Sequence, residues 1–129
     1  MNVGSTEVFK AGSALAGGVA RRGETCGALT GAIMAVCCVV GRERLEDREQ
    51  YQKAMEEAGR VYDRFNAEVG KTLCAEIQKK KFGKGYRMYI PEERTAFHEA
   101  GGHGKTGCPQ VCGIAARIAA EIILEKRAG

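Results

Sequence analysis

Tryptophan is absent, proline and histidine occur twice each, and aromatic residues make up only 6% of the 129 residues. A core without large rings must be built from Ala, Val, Ile, Leu, Met and Cys. No stretch alternates apolar and polar residues with period two over several positions, which argues against a half-buried sheet. Scarce proline leaves few forced helix breaks. Ala, Glu, Lys, Arg and Leu dominate, and no internal repeat is visible. The expected class is therefore all-α: one compact multi-helix bundle, a single domain over residues 1–129.

A long apolar run is also missing. Ala28 to Val40 is the longest candidate, and it falls short of the roughly 20 residues that span a bilayer. The Arg21-Arg22 pair ahead of it resembles an export signal, but the residues before the pair hold an apolar segment of their own, Ala11 to Ala20. Glu24 interrupts the charge pattern, and Arg42 to Arg48 follows without a small-residue cleavage site. The run is expected to be a buried helix, apolar nearly all round, in a cytoplasmic protein without a membrane partner.

Charge of one sign is not in excess: the net charge is +4. The densest basic stretch, Lys79-Lys80-Lys81-Phe82-Gly-Lys84-Gly-Tyr86-Arg87, interleaves aromatics as a nucleic-acid patch would. A helix C-terminus whose cations complement the dipole before a glycine turn explains it more simply, so no nucleic-acid partner is expected.

The helix pattern is legible. Ser5 or Thr6 can cap a short first helix carrying Val8, Phe9 and Leu15, which ends at Gly17-Gly18. A second begins near Thr25 and closes at Gly41, with Gly27 and Gly31 spaced to admit a neighbouring backbone. Asp47 and Gln50 resemble a capping box for a long amphipathic third helix. Its stripe is Tyr51, Met55, Ala58, Tyr62, Phe65 and Val69, with Glu49–Lys53 and Glu56–Arg60 pairs on its wet side. Gly70 ends it, and Thr72 restarts a short helix to about Lys81. Pro91 opens another, ending at Gly101-Gly102. The last, Ala/Ile-rich helix starts at Cys108-Pro109 and buries Val111, Ile114, Ile118 and Ile122.

Six cysteines are the abundant chemistry. An even count invites three disulfides, but Cys37 and Cys38 are adjacent within an apolar helix, and functional thiols in a reducing compartment fit better. Cys26, Cys74 and Cys108 each fall at the start of a predicted helix, where unpaired N–H groups and the dipole stabilise a thiolate and lower its pKa. Cys37 and Cys38 are expected in core packing, since Cys37 lies roughly 16 Å along the helix from Cys26. Cys112 pairs with Cys108 at i,i+4 on one helix face, and the pair could hold one metal or approach a third thiol from two sides. His98, His103, Cys108 and Cys112 form a weaker candidate metal cluster.

Two motifs fail. Gly104-Lys105-Thr106 lacks the glycine a phosphate loop needs five positions earlier, where Glu99 stands. His98-Glu99-Ala-Gly-Gly-His103 is one residue too long for HExxH, and its glycines break the helix.

Gly23-Glu-Thr-Cys26-Gly27-Ala-Leu-Thr-Gly31, then Cys74 after a long amphipathic helix, then Cys108 opening an Ala/Ile-rich helix, resembles the bacterial and archaeal redox-active family named for a C…GCAxxG…C…C pattern. The resemblance runs from about Gly12 to Leu124. It implies redox activity and an iron–sulfur cluster or other prosthetic group, near oxidoreductase or transporter genes, with an export signal in some members. Carried over, Cys26 is the motif cysteine, with Gly27 and Gly31 beside it; Cys74 is the third and Cys108 the last. No cysteine precedes Cys26, so a four-thiolate cluster or thiolate-bound metal would need Cys112, His103 or a second subunit.

Two functions follow as expectations. The first is a helical redox protein whose Cys26, Cys74, Cys108 and Cys112 either cycle with a disulfide or hold an iron–sulfur cluster or soft metal, served by a redox partner or oxidoreductase. The second is an assembly module, a helical homodimer with structural cysteines only.

Overall fold

A computed structural model describes residues 1–129. It contains α1 (Thr6–Ala11), a 3-10 turn (Ser13–Leu15), α2 (Gly27–Val40), α3 (Arg48–Val69), α4 (Cys74–Phe82), α5 (Pro91–Glu99) and α6 (Cys108–Ala128). The all-α expectation holds. The one departure is an isolated antiparallel bridge between Thr25 and Leu73. No helix is long and apolar enough to cross a membrane.

Helices α2, α3 and α6 pack pairwise and enclose the core. Leu29 and Val36 of α2, Val61 and Phe65 of α3, and Ile118 and Ile122 of α6 are fully buried, each contributing about 1.5–3 kcal/mol by leaving water. Ion pairs fix the direction of the α3–α6 seam. Arg60 meets Glu125 at 2.6 Å, Arg64 meets Glu121 and Glu68 meets Arg117, so rising numbers on α3 face falling numbers on α6. The two helices are antiparallel, and the end of α3 lies beside the middle of α6.

Helix α3 starts and stops as its sequence dictates. Asp47 accepts the Gln50 N–H at 2.9 Å, and Gly70 ends the helix at φ +91. The Gln50 side chain does not close the capping box; it donates to the Val40 carbonyl at 2.6 Å and ties α3 to the end of α2. The buried stripe is also displaced from expectation. Ala54, Glu57, Val61, Phe65 and Val69 face the core, while Tyr51, Met55 and Tyr62 are roughly half exposed. Glu57 can stand in the buried row because Arg60 and Lys126 both pair with it, and Arg60 therefore turns from Glu56. The Glu49–Lys53 pair forms at 2.8 Å.

Helix α2 is not buried all round. Only Leu29, Ala32, Val36 and Val40 are enclosed, because α3 and α6 cover one side and nothing packs flush on the other. Gly41 caps it in an extended conformation, φ −65, rather than the left-handed one expected of a C′ glycine. The basic stretch is a helix end, as expected. Gly83 terminates α4 at φ +85, Lys80 donates to the Val69 carbonyl at 2.8 Å, and Lys81 donates to Thr106 and Gln110.

Candidate functional site

Local backbone pairing brings the starts of α2 and α4 together. The N–H of Cys26 donates to the Thr72 carbonyl at 2.9 Å, and the N–H of Cys74 donates to the Glu24 carbonyl at 2.7 Å. These two bonds flank the Thr25–Leu73 bridge, so Cys26 and Cys74 sit on the same face as diagonal neighbours. Such neighbours are about 7–8 Å apart at Cα. Cys26 is the residue capping α2, and Cys74 and Cys108 are the first helical residues of α4 and α6. All three expected helix-start positions are therefore realised within one residue.

The loop that delivers Cys26 is unusual. Gly17, Gly18, Val19, Ala20 and Arg21 all have positive φ, between 50 and 71. L-residues avoid this region, and a β-branched Val19 there is a true outlier. The turn is held by its own hydrogen bonds: Ala20 N–H to Ala14, Arg21 N–H to Ala16, and Glu24 N–H to Gly18. At Gly18 a Cβ would stand 2.5 Å from the backbone N and O of Glu24 and 2.7 Å from Cys74 Cβ. Only glycine lets the turn lie flat against the bridge.

Gly27 has a similar reason. A Cβ there would meet the Leu15 carbonyl at 2.8 Å, the close backbone approach expected of it. Gly31 has no neighbour within 4 Å of an added Cβ and opens on a cavity instead.

That cavity has a volume of about 700 Å³ and is mostly apolar. Cys26, Cys38, Cys74, Cys108 and Cys112 line it, together with His103. All six cysteines are free thiols. Cys26 acts electrostatically on Cys74, on Cys108 and on Cys112, and so is the common neighbour of the group. The chain thus places the four expected thiols around one space.

Cys38, assigned to packing by its sequence setting, is exposed and faces this space; Cys37 is half-buried. Position on an apolar helix is a sound guide only where neighbours cover every side. Arg21 and Arg22 do not line the cavity. Arg22 donates to the Ala20 carbonyl and stacks over the Tyr89 ring at 4.5 Å, so it braces the turn.

The expected lowering of thiol pKa is reversed at Cys74 and Cys108, and Cys112 is raised as well. Burial, then the neighbouring Cys26 and Cys108, push Cys74 up from 9.0 to about 11. Burial likewise raises Cys108, helped by Cys112 and Cys26, and it raises Cys112, helped by Cys26. Helix starts favour charge, but an apolar wall penalises it more.

Two polar residues escaped the sequence reading. Gln78 is buried, and its amide nitrogen donates to Cys74 Sγ at 3.5 Å. Its orientation is fixed because its oxygen accepts the Tyr86 N–H at 2.7 Å. Lys81 lines the cavity and moderates the rise at Cys108. Both follow Cys74 on α4 at four and seven residues, a same-face spacing that could have signalled them.

The family model described as "Putative redox-active protein (C_GCAxxG_C_C)" matches residues 1–122. The chain belongs to this family. Cys26, Cys74 and Cys108 all lie within the matched residues and line the same cavity. This chain reads Cys-Gly-Ala-x-x-Gly where the printed pattern has Gly-Cys-Ala-x-x-Gly, and the approach of Leu15 explains a glycine directly after Cys26. The family's leading cysteine has no counterpart upstream; the segment before Cys26 contributes Val8, Phe9 and Leu15 to the cavity, but no thiol. No curated protein and no solved structure matches the chain.

Thiols are the right donors for an iron–sulfur cluster or a soft metal. For a single metal ion their placement does not fit: no three His, Cys, Asp or Glu side chains converge closely enough to hold one. The set expected from Cys26, Cys74, Cys108, Cys112 and His103 surrounds a cavity rather than a point. His103 turns instead to His98, Nδ1 to Nδ1 at 3.0 Å.

Proposed function

We propose that this protein is a thiol redox protein in which Cys26 forms a disulfide in turn with one of Cys74, Cys108 and Cys112. The observation that carries this reading is the common cavity, with Cys26 as the neighbour of each other thiol. Two S–H bonds break, one S–S bond forms, and two electrons and two protons leave. A disulfide needs Cα atoms about 4.4–6.8 Å apart. Cys26 and Cys74, diagonal across the bridge at about 7–8 Å, reach this with a small shift of the bridge. Cys108 and Cys112 line the same cavity from α6. The chain's contribution is to hold the thiols in an apolar space and to orient Cys74 through Gln78.

The test is a redox titration of anaerobically purified protein, with metal analysis and an absorption spectrum. Metal-free protein that gains one disulfide involving Cys26 supports the reading. Stoichiometric iron with a thiolate charge-transfer spectrum would replace it with the cluster expectation. Thiols that no oxidant couples would sink both.

A second reading, association of two copies, draws on Tyr51, Met55 and Tyr62, which stand four and seven residues apart on the outer side of α3 and remain about half exposed. Sedimentation of wild type and Met55→Glu decides it. A dimer that Met55→Glu dissociates supports it, and a wild-type monomer at high concentration rules it out.

A further inference from the structure

We propose that the thiol cavity binds a quinone-class molecule, an uncharged planar ring that accepts two electrons and two protons from the cysteines. The inference rests on the dithiol reading above and adds the substrate class.

Size comes first. About 700 Å³ falls within the roughly 300–1,000 Å³ of small-molecule sites. The walls are next. Phe82, Phe97 and His103 line the cavity, and Phe97 stands with Phe82, Tyr86 and His103 at centroid distances of 5.5 Å each, a packed aromatic cluster that gives the cavity a rigid apolar wall.

Charge then narrows the class. No carboxylate lines the cavity, and Lys81 is its one charged side chain. Lys81 is held by neutral acceptors only, the Thr106 carbonyl at 2.9 Å and Gln110 Oε1 at 2.8 Å, so its charge is uncompensated. A carbonyl oxygen that gains electrons on reduction meets this cation favourably. A peptide disulfide carrying several carboxylates would have to strip them of water against apolar walls with one lysine to pair them.

The thiols point the same way. Burial favours the protonated forms of Cys74 and Cys108 beside the apolar wall, so electrons that leave with protons deposit no charge in the cavity. The balance is two thiols plus one quinone giving one disulfide plus one hydroquinone. Two S–H bonds break, one S–S bond forms, and two O–H bonds form on the ring oxygens. Reactants and products are all neutral.

The experiment mixes reduced protein, without oxygen, with 2,3-dimethyl-1,4-naphthoquinone, whose substituted ring resists direct arylation by thiols. The expected result is one hydroquinone per disulfide formed, with Cys26→Ser inactive. Gly31→Leu places a side chain into the open space of the cavity; it should slow the reaction about tenfold or more while thermal unfolding shows an intact fold. Oxidation of the same thiols by diamide, with no quinone reduced, overturns the inference and leaves the dithiol reading standing. Equal quinone rates for wild type and Gly31→Leu also overturn it. If diamide too leaves every thiol titratable, both fall together.

Discussion

Thr25 and Leu73 face one another in the one isolated bridge of this helical protein, and the flanking hydrogen bonds tie the first residue of α4 to Glu24 and the cap of α2 to Thr72. Neither residue carries chemistry. Their pairing is nevertheless what converts two cysteines, separated by the whole length of α3, into neighbours on one face.

The turn behind this bridge should be intolerant of any side chain at Gly18. Gly18→Ala combines a positive φ with overlap on Glu24 and Cys74. Strain of this kind costs about 1–3 kcal/mol before the overlap is counted. Chemical denaturation should show at least that loss, and Cys74 should become more accessible to alkylation. A variant as stable as wild type would mean the turn is not held in this conformation.

Cys74 should be slow to react at neutral pH. With its pKa raised from 9.0 to about 11, the thiolate is scarce until the solution is strongly alkaline. Site-resolved iodoacetamide labelling, read by peptide mass, should rise through that range rather than near pH 8–9. The sign for stability follows. The folded protein holds this proton more tightly than the unfolded chain, so the contribution is complete below about pH 9 and is lost as pH climbs toward 11. The difference between wild type and Cys74→Ala, measured across that window, isolates it from other groups.

Gln78→Leu should remove the one hydrogen bond that favours the Cys74 thiolate and leave the Tyr86 N–H without its partner. Burying an unsatisfied N–H costs about 1–3 kcal/mol. The labelling profile of Cys74 should move to still higher pH, an effect that lost packing alone would not produce. Gln78→Glu should retain the acceptor for Tyr86 and still lose the donor to sulfur, which separates the two roles.

Among the six thiols, the exposed Cys38 should react first with a bulky disulfide reagent, and the half-buried Cys37 later. Burial and the adjacent Cys38 both raise the Cys37 pKa, which slows it further. Timed reaction with an aromatic disulfide, followed by peptide mapping, checks the order. Cys37 labelling ahead of Cys38 would contradict the arrangement of α2.

The sequence by itself determined the helices and where they begin, because caps, glycine stops and 3.6-residue periodicity act over a few neighbouring residues. Asp47 capping α3, Gly70 and Gly83 ending their helices, and Cys26, Cys74 and Cys108 at helix starts were all legible in this way. It also carried the family motif. What only the tertiary structure decided was coverage. On α3 the core took the row containing Ala54, Glu57 and Val61, because Arg60 and Lys126 neutralise Glu57 there, and Tyr51, Met55 and Tyr62 were left outside. On α2 the uncovered side became the wall of a cavity and brought Cys38 into it. The direction of the thiol pKa shifts turned on the same thing. A helix start is a local feature that favours the thiolate, whereas the apolar walls that outweigh it come from segments distant in the chain.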